Sequence, residues 1–186
     1  MSRIPLREPR GPFLRAAYAE SKREFGKVPD PVAIKGHTPL LLAGYSAFEL
    51  ATQRSRRVDH RLKELAELKA AALAGCEWCL DLGAMIAARS GIPAEQVRDI
   101  SRHRESEEFD ERERLVLDYA EAMTHTPVEV DDELVSGLRE FLDDAQLVEL
   151  TSVIALENYR ARFNWALGLT AQGFAGGAAC PAPALR

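Results

Sequence analysis

The sequence predicts an all-α protein, and three observations carry that prediction. Apolar residues recur at helical spacing through most of the 186-residue chain. Helix punctuation is frequent: Asp-Pro, Thr-Pro and acidic caps open segments, and glycines close them. Strand signals are nearly missing, with no sustained apolar–polar alternation and no Asn-Gly or Asp-Gly hairpin.

Each element follows in order. Pro5, Pro9 and Pro12 make residues 1–12 an extended arm. A helix is expected from Pro12 to Phe25, stopped by Gly26. Asp30-Pro31 reads as an N-cap with proline at the first helical position, opening a short helix to Gly36. Thr38-Pro39 repeats that signal and opens a helix through Leu50. Its Leu40–Phe48 stretch is apolar nearly all round, which predicts burial. Asp59 caps a helix carrying Leu62, Leu65, Ala66, Leu68 and Leu73 up to Gly75. The cysteines open the next, which ends at Ser90-Gly91, and Pro93 starts a short one through Ile100. The charged run from Ser101 to Phe109 is expected as an exposed loop. Asp110–Glu113 resembles a capping box ahead of Leu115, Val116, Tyr119, Ala120 and Met123. Val130-Asp131-Asp132 opens another helix, and Asp144 is expected to cap the last and longest, to Gly168. Beyond Gln172 the Gly-, Ala- and Pro-rich composition predicts a disordered tail over 173–186. The plan is therefore an arm (1–12), one all-α domain of eight or nine helices (13–172) and a tail.

Composition narrows the function. Formal net charge is −5, against nucleic acid as main partner. No apolar run is long enough to span a bilayer, and the basic N-terminus lacks the apolar core of a signal peptide, so a cytoplasmic protein is expected. Three cysteines, two of them close together, do not look like a secreted disulfide framework.

The informative pair is Cys76-Glu77-Trp78-Cys79. On a helix, positions three apart share a face with Cα atoms about 5 Å apart, inside the roughly 4.4–6.8 Å a disulfide needs. If a helix starts at Cys76, its thiol sits near the positive end of the dipole, which favours thiolate. Three other readings compete. Half a zinc site lacks its second pair, since His37, His60, His103 and His125 are scattered, and no metal or other cofactor is expected. A thioredoxin-like motif needs a βαβ frame, which the sequence does not provide. Two small core residues on an apolar helix face, with Leu80, Gly83 and Ala87, stay open.

Residues 59–93 resemble the carboxymuconolactone decarboxylase / alkylhydroperoxidase D-like family. The matching stretches are Asp59–Leu65, Ala71–Cys79 and the alanine-rich helix to Gly91-Ile92-Pro93. Downstream, Asp110–Glu113, Leu115–Ala120 and Asn158–Asn164 fit the same pattern, and the likeness covers roughly residues 40–170. The resemblance implies an all-α helical bundle of the alkylhydroperoxidase D-like type that forms homo-oligomers. It also implies peroxidase chemistry: Cys79 attacks a hydroperoxide, Cys76 resolves the sulfenic acid, and a lipoyl-type dithiol recharges the pair. The decarboxylase branch typically lacks the cysteine pair, so Cys76 and Cys79 point to the redox branch.

The family's proton relay pairs a glutamate twelve residues before the first cysteine with a histidine four after the second. The first maps onto Glu64, which is a candidate base if the fold or a neighbouring subunit brings it close. The second maps onto Gly83, which is expected to leave a gap without a base. Asp81 is a weak substitute, because a regular helix turns it away from the cysteine face. His37, His60 or His125 would have to arrive from elsewhere in the fold or from another subunit. Trp78 is expected to be a core or interface aromatic. Arg160, Arg162 and Asn164, on the last helix, either line a pocket for an acidic substrate or pair with buried carboxylates. Cys180 is a spare thiol in the tail. The leading expectation is a dithiol-dependent hydroperoxide reductase. The alternatives are a decarboxylase-type enzyme using Arg160 or Arg162, and a non-enzymatic oligomeric redox sensor.

Overall fold

A computed structural model describes residues 2–176, and the described residues contain helices and no strand. The helices are α1 (Gly11–Phe25), α2 (Asp30–Lys35), α3 (Pro39–Arg54), α4 (His60–Leu73), α5 (Glu77–Arg89), α6 (Ala94–Asp99), α7 (Glu111–Thr124), α8 (Asp132–Arg139) and α9 (Asp144–Ala166). A single 3-10 turn, Ile100–Arg102, follows α6. No helix among the described residues is long and apolar enough to cross a membrane.

Local chemistry sets the boundaries. Asp59 accepts from the Arg61 amide to start α4. Asp110 and Glu113 close a reciprocal capping box at α7, and Asp143 and Gln146 do the same at α9. Two expected caps therefore shift by one residue: Asp143, not Asp144, caps α9, and Asp30 is the first helical residue of α2 rather than its cap. The arm is held down. The Arg3 amide donates to the Leu167 carbonyl at 2.8 Å, and His37 Nε2 lies 2.8 Å from the Pro5 carbonyl.

The organising element is α4, which packs against α5, α7 and α9. Its alanines permit that crowding. Leu65, Leu68, Ala71 and Ala72 face one core cluster with the cysteines, Trp78, Leu80 and Ala161. Ala66 and Ala70 face a second cluster with Val116, Leu138, Leu150 and Ile154. Burying apolar surface on both sides of one helix contributes roughly 25 cal/mol per Å², so α4 is the piece whose removal would split the core.

Two expectations fail here. The apolar α3 is not enclosed: Leu40 is 84% and Leu41 65% exposed, and Phe48 and Leu50 also face outward. It lies at the edge, with α2 and α9 as its neighbours. The charged run 101–109 is not simply an exposed loop, because His103, Ser106 and Phe109 are buried. Its charges are consumed locally, Arg102 by Asp99 and Arg104 by Asp118 and Glu121, which lets the residues between them turn inward. The predicted tail differs too. Gln172 through Ala175 are packed against α5, and only 177–186, with Cys180, fall outside the described residues.

Candidate active site

The cysteines sit where α4 hands over to α5. Gly75 takes φ +65°, a left-handed conformation that costs a residue with Cβ about 1–2 kcal/mol. That bend lets the Gly75 amide reach the Ala72 carbonyl at 3.1 Å and the Cys76 amide reach the Ala71 carbonyl at 3.0 Å, a Schellman closure of α4. Cys76 is then also the N-cap of α5, its Sγ accepting from the Cys79 amide at 3.2 Å. One residue thus ends one helix and begins the next. Cys76 and Cys79 are joined as a disulfide with Cα atoms 5.3 Å apart, the separation expected from their spacing. Both are buried, at 3% and 6% exposure.

One polar side chain reaches both sulfurs. Asn164 Nδ2, on the last turn of α9, lies 3.5 Å from Cys79 Sγ and 3.7 Å from Cys76 Sγ. Asn164 is 1% exposed, and its Oδ1 has no hydrogen-bond partner. The neighbouring Trp165 donates from Nε1 to the Ala74 carbonyl at 2.8 Å, which pins the end of α9 to the α4–α5 turn.

A strap from the C-terminal segment closes the outer side. Asp81, buried in α5, accepts from the amides of Gln172 (2.8 Å), Phe174 (3.0 Å) and Ala175 (2.9 Å). Burial works to raise its pKa, but those backbone donors outweigh it and hold the carboxylate below its ordinary range. Trp78 Nε1 donates to Gln172 Oε1 at 2.7 Å, and the Phe174 ring meets Trp78 edge-on, 6.0 Å between centroids. Asp81 therefore anchors the strap; it does not face the sulfurs as a base.

The relay positions resolve differently from expectation. Gly83 leaves no open gap: a Cβ there would stand 2.9 Å from Leu68 Cδ2, the end of a side chain that would have to shift to admit one. Glu64 is buried and bonded to Ser90 Oγ at 2.7 Å and His60 Nε2 at 2.9 Å, with its Oε2 unpartnered. Desolvation raises its pKa, while the Ser90 hydrogen bond and His60 pull it down. Ser90 lies eleven residues beyond Cys79 on α5, about 16 Å of helix rise. The structure brings Cys76 and Cys79 together and leaves Glu64 at the opposite end of the hairpin. Each histidine is engaged elsewhere: His37 with Pro5, His60 with Glu64, His103 with Asp118 and His125 with Glu129. Among the described residues no cluster of His, Cys, Asp and Glu is arranged to hold a metal ion.

The three polar residues of α9 separate. Arg160 is occupied by carboxylates, bonding Glu49 at 2.8 Å, Glu67 at 2.7 Å and Glu157 at 2.9 Å. Four of its five N–H donors are spent on them, which leaves no bidentate face for an acidic substrate. Arg162 bonds Asn158 and the Thr124 carbonyl, and lines a shallow cleft of about 450 Å³ with Met123, Val128 and Tyr159, away from the sulfurs. Only Asn164 joins the cysteines. The sequence flagged all three by their polarity on an apolar helix; the stripe of residues 157, 160 and 164, one turn apart, was the available signal for which faced inward.

The model of the carboxymuconolactone decarboxylase family matches residues 39–122. The Escherichia coli protein YnjA is 35% identical over 174 residues, covering 93% of this chain and 92% of its own. The debrominase Bmp8 superposes with a TM-score of 0.82 at 21% identity, over 94% of each chain. A peroxidase-related protein from Ralstonia eutropha, described as an alkylhydroperoxidase AhpD core, superposes with a TM-score of 0.84 at 18% identity, over 97% of each. At such identities the structural likenesses establish the fold.

Proposed function

This chain belongs to the carboxymuconolactone decarboxylase family and has the alkylhydroperoxidase D-like fold, and from that premise we propose that it is a dithiol-dependent hydroperoxide reductase. The observation that carries the reading is Cys76 as N-cap of α5, bonded to Cys79, with an amide from the backbone and one from Asn164 directed at the sulfurs. Such donors stabilise a thiolate and make it a good leaving group.

The chemistry then runs in three balanced steps. The Cys79 thiolate attacks the outer peroxide oxygen; an S–O bond forms, the O–O bond breaks, and the alkoxide leaves and takes a proton from solvent. The Cys76 thiolate attacks the sulfenic sulfur of Cys79, forming the disulfide and expelling hydroxide, which becomes water. A lipoyl-type dithiol then attacks Cys79 and releases Cys76 as the thiolate its N-cap position stabilises. The donor leaves as its own disulfide. Glu64 takes no step in this scheme, because it stands at the far end of α5. The decarboxylase alternative loses its support in Arg160, whose donors Glu49, Glu67 and Glu157 already occupy.

Two further expectations belong to the same proposal. The exposed leucines and Phe48 of α3 are where copies of the chain would meet to form a homo-oligomer. A reducing, cytoplasmic setting suits a pair that must be recharged by a dithiol.

The test is hydroperoxide consumption by the reduced protein with dihydrolipoamide as donor, alongside Cys76→Ser and Cys79→Ser. Turnover that both substitutions abolish is expected. Thiol loss without turnover would leave a sensor, and inert thiols would return the pair to the core.

A further inference from the structure

We propose that Asn164 is a catalytic residue, its side-chain amide holding the Cys79 thiolate in place of the relay histidine that position 83 lacks. The proposal rests on the hydroperoxide-reductase reading of the same site and adds to it the group that supports the attacking sulfur.

Three observations converge. First, the histidine's place is crowded: a Cβ on Gly83 would lie 2.9 Å from Leu68 Cδ2, so a side chain there would have to displace the end of the leucine. Second, among the described residues Asn164 is the side chain that directs a hydrogen-bond donor at both sulfurs, at 3.5 Å from Cys79 Sγ and 3.7 Å from Cys76 Sγ. The two sulfurs are otherwise supported unequally. Cys76 Sγ also accepts the Cys79 amide, whereas Cys79 Sγ accepts, among the described residues, from Asn164. Third, the amide is not there for packing. It is 1% exposed in a cluster of leucines and alanines, and its Oδ1 is buried without a partner. An unpaired buried carbonyl is unfavourable, and a leucine of similar volume would avoid it. Other buried groups carry the same cost, Glu64 and Glu157 among them, but of these Asn164 is the one whose side chain stands against the sulfurs.

The role is that of a fixed dipole, and no proton passes through it. Asn164 Nδ2–H donates to the Cys79 thiolate before attack. It stays within reach as the S–O bond forms and negative charge moves to the departing oxygen. The donor is already in place and pinned by Trp165 on Ala74, so no rearrangement is needed when charge develops.

The experiment is alkylation of Cys79 by iodoacetamide across a pH series, in a full chain carrying Cys76→Ser and Cys180→Ser so that Cys79 is the remaining thiol. Asn164→Leu and Asn164→Asp are compared with Asn164, each checked for folding by circular dichroism. The expected result is about tenfold slower alkylation at neutral pH for Asn164→Leu, with the profile displaced to higher pH. Asn164→Asp, whose carboxylate repels a thiolate, is displaced further, and it supplies the reading should the leucine variant not fold. An unmoved profile in a folded variant overturns the proposal. Peroxide turnover of the native-cysteine protein is measured in parallel. A displaced profile without turnover sinks the hydroperoxide reading and keeps Asn164; turnover with an unmoved profile does the reverse.

Discussion

Two polar stations lie one turn apart on α9, one half-buried and built on ion pairs, the other buried and built on a neutral amide. At Arg160 a guanidinium gives four of its five donors to Glu49, Glu67 and Glu157, and Glu157 Oε1 stays buried without a partner. At Asn164 a neutral amide meets two sulfurs, and its own oxygen is left unanswered. Each station leaves one oxygen unpaired, so the difference lies in the partner. The guanidinium spends its donors on carboxylates, and the amide directs its donor at two sulfurs that can react.

The comparison breaks most visibly at Arg160. Arg160→Met strands the Glu49 and Glu67 carboxylates and the Glu157 carboxyl, and the expected loss is about 3–5 kcal/mol in urea unfolding, with the alkylation rate of the folded cysteines within twofold of the parent. If thiol reactivity moved as far as stability, the two stations would be one.

A smaller effect sharpens the sulfur side. Gly83→His should destabilise by about 1–3 kcal/mol through collision with Leu68, and Leu68→Ala by about 2–5 kcal/mol through the cavity left. The double variant should cost less than the sum by at least about 1 kcal/mol, read as a double-mutant cycle. Additivity would mean that Leu68 does not fill the histidine's place.

The smallest per unit of perturbation is a pH effect confined to the charged side. Burial pushes Glu157 up to about 8, so the folded chain holds a proton there that the unfolded chain loses above its ordinary 4.5. Stability should fall as pH rises between those values. Burial pushes Lys35, set 4.0 Å over Phe163 and 4.1 Å over Tyr45, down to about 8 from 10.5. The unfolded chain binds the extra proton in that window, so stability should rise again from about pH 8 to 10.5. A minimum near pH 8 is expected, with a change of about 1 kcal/mol per pH unit on either side. Glu157→Gln should flatten the acidic limb and Lys35→Met the alkaline one. The sulfur station should contribute to neither limb while its disulfide is closed.

The helices were legible because their punctuation is local. Asp59, Asp110, Pro39 and Gly75 each act within a turn of themselves, and the sequence places them within a residue or a few of where the structure does. The cysteine pair was legible for the same reason, being a matter of spacing along one helix. What escaped depends on distant partners. The exposure of Leu40 and Leu41 reflects what does not cover α3, and the burial of His103 and Phe109 depends on Asp118 and α7. Asp81 looked idle because its donors come from residues 172–175, ninety or so positions away. Glu64 was a candidate by register alone; a twelve-residue offset fixes its place on α4 and says nothing of which end of α5 it meets. Asn164 was visible as a polar residue on an apolar helix, but its target was not.

The contact between Gly83 and Leu68 also ties position 83 to the sulfurs by way of packing. Leu68 belongs to the same buried cluster as the two cysteines, and its Cδ2 lies where a Cβ on residue 83 would crowd it. Any side chain placed at 83 therefore acts first on that leucine, and through it on the cluster that holds the sulfurs.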